Sequence, residues 1–160
     1  MLYTTTGSPL GELLLVGDET ALRGLHMQDG PRPVPVPPGW RRAPDAFAEA
    51  VEQLGEYFAG RLTEFDLPLE PGGSPFQRRV WDELGEIPYG ETASYGEIAR
   101  RIGRAQAARA VGAANGANPI SIVIPCHRLV GSSGGLTGYG GGIERKQALL
   151  ELEASVRAAL

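Results

Sequence analysis

The sequence has one cysteine, Cys126, and only two histidines, His26 and His127, 101 positions apart. A lone cysteine cannot close a disulfide within the chain, and histidines this distant do not give the ligand spacing of a structural zinc site. Long apolar runs are also missing: none approaches the roughly 20 residues that a membrane span requires. The N-terminus, Met1-Leu2-Tyr3-Thr4-Thr5-Thr6, lacks the basic segment and apolar stretch of an export signal. A metal-free, cytoplasmic protein without membrane attachment is expected.

Positive charge is in short supply overall, with 15 Lys and Arg against 19 Asp and Glu and a net charge of -4. That balance excludes a chain that coats nucleic acid by bulk electrostatics. The distribution is uneven, however. Residues 1–72 carry 5 basic and 11 acidic side chains, and residues 73–160 carry 10 and 8. Between residues 98 and 143 there is no Asp or Glu, while Arg100, Arg101, Arg104, Arg109 and Arg128 all fall inside. A local positive field that steers an anion is expected there, favouring the thiolate of Cys126.

What is present is an ordinary globular composition, 42% hydrophobic, with enough chain for one domain or two small ones. β-type segments at residues 2–6, 13–16 and 21–27, separated by Gly7-Ser8-Pro9 and Gly17-Asp18, outline an antiparallel meander. Five prolines between Pro31 and Pro38 predict an extended surface loop. Phe47, Val51, Leu54 and Phe58 have helical spacing between Asp45 and Gly60, and Phe65, Leu67 and Leu69 alternate like a further strand. Glu70-Pro71-Gly72-Gly73-Ser74-Pro75 has linker composition, which places a boundary between an α/β domain at 1–73 and a second, mainly helical domain at 74–160.

In the second part, Phe76, Val80 and Leu84 predict a helix, and Ser94 with Glu97 forms a capping box that sets Tyr95 at the first position of the next. Gly103 ends it, and residues 106–115 form a third short helix, so the spacing is that of a helix-turn-helix. That third helix presents Arg109 among Ala107, Ala108, Ala110 and Gly112, a surface better suited to close minor-groove packing than to reading base edges. An Ala-rich helix buried between layers has the same composition. The run Ile120 to Ile124 is expected to be a buried strand delivering Cys126 at its end. Seven of the twelve residues from Gly131 to Gly142 are glycine, a loop built for close approach or motion, and a last helix spans 143–160.

Cys126, adjacent to His127 and Arg128, has the surroundings of a nucleophile, although a single cysteine also serves as a small buried apolar residue. A histidine acting as base needs a carboxylate to orient it, and the last helix offers Glu144, Glu151 and Glu153; spacing does not choose among them.

Pro125-Cys126-His127-Arg128, with Arg109-Ala110-Val111-Gly112 seventeen positions upstream, Asn118-Pro119 between and Tyr95-Gly96 before, strongly resembles the O6-alkylguanine-DNA alkyltransferases. The likeness covers residues 74 to 155 and, more loosely, the N-terminal part. It implies a ribonuclease-H-like α/β domain followed by a helical, winged-helix-like domain that binds the minor groove of double-stranded DNA. It further implies a single-turnover repair reaction in which a flipped-out O6-alkylguanine, or O4-alkylthymine, passes its alkyl group irreversibly to Cys126, with no cofactor and as a monomer. His127 matches the residue that deprotonates Cys126 through a water, Glu153 the acid that holds His127, and Tyr95 the donor to the departing guanine. Arg109 matches the finger that fills the gap left by the base, with Tyr95, Ala107, Ala108 and Ser132 beside the DNA. Asn118 matches the tie between the recognition unit and the active-site segment, and Asn115, Tyr139 and Gly140 match the pocket. Some family members hold zinc through N-terminal cysteines that this chain lacks, so no metal is expected. Other classes compatible with parts of the pattern are a lesion-binding relative, which would lack Cys126, and a thiol hydrolase built on Cys126, His127 and Glu153.

Overall fold

The computed structural model describes all 160 residues. The meander is present: β1 (Leu2–Thr6), β2 (Leu13–Gly17) and β3 (Leu22–Met27) pair antiparallel. A short β4 (Arg41–Arg42) adds in parallel beside β1, giving the order β3-β2-β1-β4. The turn into β2 depends on Gly11, at φ +100, where a Cβ would overlap the Asp29 carboxylate that accepts the Glu12 N–H at 3.0 Å. β2 is buried on both faces. Leu13 and Leu15 enter the main core, whereas Leu14 and Val16 point the other way, as strand alternation requires. The proline-rich segment has no regular structure and is largely exposed.

Helix α1 (Ala48–Phe58) follows a 3-10 turn at Pro44–Phe47, and Gly60, at φ +77, ends it. The strand expected at residues 65–69 does not form. Only Leu69 bridges to Leu22, through Leu22 N–H to Pro68 O and Glu70 N–H to Leu22 O, both 2.9 Å. Pro68 and Pro71 have no N–H to extend a ladder in either direction.

Further along the chain come α2 (Pro75–Gly85), β5 (Ala93–Ser94), α3 (Tyr95–Arg101) and α4 (Ala108–Gly116). The chain ends with β6 (Leu129–Val130), parallel to β5, and α5 (Ile143–Ala159). The capping box holds α3 as the sequence implied: Glu97 N–H donates to Ser94 Oγ at 3.2 Å, and Ser94 N–H to Glu97 Oε1 at 3.3 Å. Gly103, at φ +74, separates α3 from α4. The Trp81 indole N–H donates to Ala114 O at 2.8 Å and ties α2 to α4. One apolar cluster joins both halves of the chain, with Leu25 and Tyr57 from the first and Val80, Ile98, Val111 and Leu129 from the second.

The run from Ile120 to Ile124 is not a strand. Ile120 makes one parallel bridge to Leu25, and the chain then bends, with Ile122 at φ +71 and Ile124 N–H returning to Ile120 O at 3.1 Å. Asn118 takes the place of a neighbouring strand. Its amide donates to Ile124 O at 2.9 Å, and its oxygen accepts the Ile120 N–H at 3.0 Å. An apolar run of this length marks burial, not conformation.

Candidate active site

Cys126 emerges from that bend as the first residue of a 3-10 turn, Cys126–Arg128. Successive residues of such a turn diverge by about a third of a revolution, so Cys126 and His127 are not forced onto opposite faces as they would be on a strand. Cys126 looks into a cavity of about 70 Å³, lined also by Tyr95, Gly112, Asn115, Asn118 and Tyr139. Gly112 lets α4 approach: a Cβ there would lie 3.4 Å from the Tyr95 ring. Asn115 is buried, and its amide reaches the Cys126 carbonyl at 3.4 Å. Gly140 lies on the exposed rim.

The surroundings of Cys126 do not favour the thiolate in the way its positive segment suggested. Burial pushes the Cys126 thiol above its ordinary range, and Asn118, Tyr139 and the Lys146 ammonium pull it back without prevailing. The positive field read from the sequence does not reach the sulfur. Arg100, Arg101, Arg104 and Arg109 are exposed, and the buried Arg128 is committed elsewhere. The Tyr139 hydroxyl is itself buried and raised by desolvation and by Cys126; it sits beside the thiol without a formed hydrogen bond.

Behind Cys126 lies a buried ionic network centred on Glu153. His127 is 0% exposed, with Nε2 2.7 Å from Glu153 Oε2. Arg128 Nε donates to Oε1 at 2.8 Å and Nη2 to Oε2 at 3.1 Å, while Nη1 caps Ile87 O at 2.8 Å. The Tyr57 hydroxyl donates to Oε2 at 2.6 Å. Burial would raise the Glu153 carboxyl, but the hydrogen bonds from His127 and Arg128 outweigh it and hold it at about 2. An ionised Glu153 only accepts, so the proton of His127 belongs on Nε2. Burial keeps the imidazole below its usual range, Glu153 opposing, so the ring is neutral at pH 7. Nδ1, buried and with no protein partner, then carries a free lone pair. The arrangement is a base backed by a fixed carboxylate, next to a thiol.

The other residues singled out from the sequence are dispersed. Arg109 is exposed and shares a helical stripe with Gly112 and Gly116, which places it at the cavity's approach. Ala107 and Ala108 are half-buried at the start of α4, and Ser132 is exposed in the glycine-rich loop, outside the cavity lining. Sequence reasoning missed Tyr57, Thr137 and Lys146, and did not assign Arg128 to Glu153. A signal existed for one of them. On α5, Lys146, Leu149 and Glu153 recur at three and four residues and are its buried stripe, whereas Glu144 and Glu151 are exposed. No helix is long and apolar enough to cross a membrane.

Two family models match the chain. Residues 1–71 match the 6-O-methylguanine DNA methyltransferase ribonuclease-like domain, and residues 75–155 match the DNA binding domain of the same family. A methylated-DNA–protein-cysteine methyltransferase of Mycolicibacterium paratuberculosis is 62% identical over 151 residues, 94% of this chain and 91% of that protein. One from Methanosarcina acetivorans is 50% identical over 97% of this chain and 99% of its own. Among solved structures, Mycobacterium tuberculosis OGT in complex with DNA superposes with a TM-score of 0.91 at 56% identity, covering 98% of this chain and 94% of that one. With both domain models matched in order and these relatives aligned over nearly their whole length, the chain belongs to the 6-O-methylguanine DNA methyltransferase family.

Proposed function

We infer that this protein repairs O6-alkylguanine in double-stranded DNA by transferring the alkyl group to Cys126, once per molecule. The observation that carries the reading is a buried cysteine at the floor of a small cavity, backed by His127 and the ionised Glu153. A guanine O6 is stacked and inaccessible in the duplex, so the damaged base is flipped into the cavity. His127 Nδ1 takes the Cys126 proton through a water, and Glu153 stabilises the imidazolium. The thiolate attacks the alkyl carbon in line, the S–C bond forms, and the C–O6 electron pair stays with guanine. Tyr95 gives its phenolic proton to the guanine ring. The thioether left on Cys126 has no leaving route, so no base or cofactor regenerates the protein.

The DNA contact in this proposal is the helix-turn-helix of α3, the Gly103 turn and α4, packed into the minor groove as a monomer in the cytoplasm. Ala107 and Ala108 allow close approach, Ser132 meets the backbone, and Asn115, Tyr139 and Gly140 shape the pocket with Asn118 fixing its floor. Arg109 occupies the space the flipped base vacates. Arg109→Ala is therefore expected to slow repair of a duplex lesion at least about tenfold while changing reaction with the free alkylated base little, since base extrusion costs a few kcal/mol; equal losses on the two substrates would place Arg109 in the pocket instead. The reading as a whole is tested by supplying duplex lesion in excess. Repair should stop at one lesion per protein; continued turnover would contradict it.

A further inference from the structure

Lys146 is an ammonium with 0% exposure and no carboxylate partner. Its Nζ donates to Leu129 O at 2.6 Å, to Thr137 Oγ1 at 3.1 Å and, at 3.4 Å, to Thr137 O. Thr137 Oγ1 is in turn hydrogen-bonded to the Tyr95 hydroxyl. An ammonium without a counter-charge in the interior is costly, and beyond drawing the Cys126 thiol down it takes no proton-transfer part in the chemistry at His127 and Glu153.

The donor inventory gives this chain a direction. An ammonium has only donors, so Thr137 Oγ1 accepts from Lys146. A threonine hydroxyl has one proton and two acceptor sites, and the only partner of Thr137 Oγ1 besides Lys146 is the Tyr95 oxygen, so the arrangement that leaves no donor unused sends the Thr137 proton to Tyr95. The Tyr95 proton is then the one free to point into the cavity, which Tyr95 lines together with Cys126. A series of three hydrogen-bonding groups thus runs from the buried stripe of α5, through the glycine-rich loop, to the mouth of the site.

We propose that Lys146, acting through the Thr137 hydroxyl, returns a proton to Tyr95 as Tyr95 protonates the departing guanine. The inference rests on the reading of Tyr95 as the guanine's proton donor. The balance is simple: the O–H bond of Tyr95 breaks as an N–H bond forms on guanine, the Thr137 proton passes to the Tyr95 oxygen, and a Lys146 proton passes to Thr137. Guanine leaves neutral, Tyr95 and Thr137 are restored, and Lys146 is left as an uncharged amine. No oxidant or further reactant is needed. The charged and titratable groups coupled to Lys146 are Cys126, His127 and, through Thr137, Tyr95. Burial holds the ammonium below the usual lysine range and Cys126 draws it back up, the direction that makes proton release easier than from a solvated lysine. Lys146 and Thr137 are positioning residues, since neither needs to touch the base.

The test compares two reactions of Cys126 in the full chain. Transfer from an O6-methylguanine duplex needs a proton on its leaving group; alkylation by iodoacetamide, which releases iodide, does not. Thr137→Val keeps the shape and removes the relay, and it is expected to lower the ratio of the first rate to the second by about tenfold or more, the lower end of general-acid effects being about a hundredfold. Thr137→Ser should restore the ratio. Thr137→Val lowering both rates equally, or Thr137→Ser failing to restore the ratio, would make Thr137 a structural tether and overturn the relay. Tyr95→Phe separates the two levels. A lowered ratio in Tyr95→Phe with none in Thr137→Val overturns the relay alone, and an unchanged ratio in Tyr95→Phe overturns the reading of Tyr95 beneath it.

Discussion

Glu153→Gln is expected to lower the melting temperature on the order of 10 °C and to slow alkyl transfer by at least about a hundredfold. The carboxylate is 1% exposed and takes hydrogen bonds from His127, Arg128 and Tyr57. A neutral amide of the same shape leaves the Arg128 guanidinium buried without a counter-charge, which costs about 3–5 kcal/mol. Activity falls for a separate reason: an amide does not stabilise the imidazolium that forms when Nδ1 takes the thiol proton. The same carboxyl makes stability depend on pH. Held at about 2 in the folded chain against 4.5 when free, it contributes roughly 3 kcal/mol. Its folded value is depressed, so this stability is fully present above about pH 5 and is lost as pH falls towards 2. Urea unfolding at pH 7 and pH 3 reads it directly. Wild type should lose stability between the two while Glu153→Gln loses distinctly less, and parallel losses would show that Glu153 is not the group responsible.

Cys126→Ser is expected to abolish transfer, leaving no repaired lesion above background over hours. A hydroxyl is a far weaker acid than a thiol, and the burial that already raises Cys126 would act on it as well. The neutral, 0%-exposed His127 has too little basicity to ionise a serine without an oxyanion-stabilising partner for its product. The substitution nearly conserves volume at a buried position that faces the cavity, so the fold and the affinity for a lesion duplex should survive. Gel-shift binding alongside a restriction assay for restored guanine checks both halves, and residual repair by the serine variant would mean that the acceptor is another side chain.

Much of the site was legible because its parts are local in sequence. Ser94 and Glu97 cap α3 by contacts three residues apart, and Cys126, His127 and Arg128 are consecutive. What escaped depends on where the chain folds back. The Tyr57 hydroxyl meets Glu153 across 96 residues, and no pattern around Tyr57 distinguishes it from any other helix-face aromatic. The positive segment does not favour the Cys126 thiolate as its composition suggested, because linear charge density is not a field at an atom: most of the segment's arginines face solvent, and the Arg128 charge is paired with Glu153. The run at 120–124 was apolar for burial in a bend, with Asn118 replacing the ladder partners a strand would have needed. The stripe Lys146, Leu149, Glu153 was readable, and weighing a lysine and a glutamate as inward-facing residues would have separated Glu153 from Glu144 and Glu151.

Cys126 is a reagent consumed in the reaction, because the thioether it forms has no leaving route. Incubating the protein with an equimolar duplex carrying one O6-methylguanine, followed by intact-mass and peptide mass analysis, tests that consumption most directly. Each chain is expected to gain one methyl in place of one hydrogen, located on the peptide containing Cys126, as the duplex is restored to guanine. Guanine restored while the protein mass stays unchanged would contradict it.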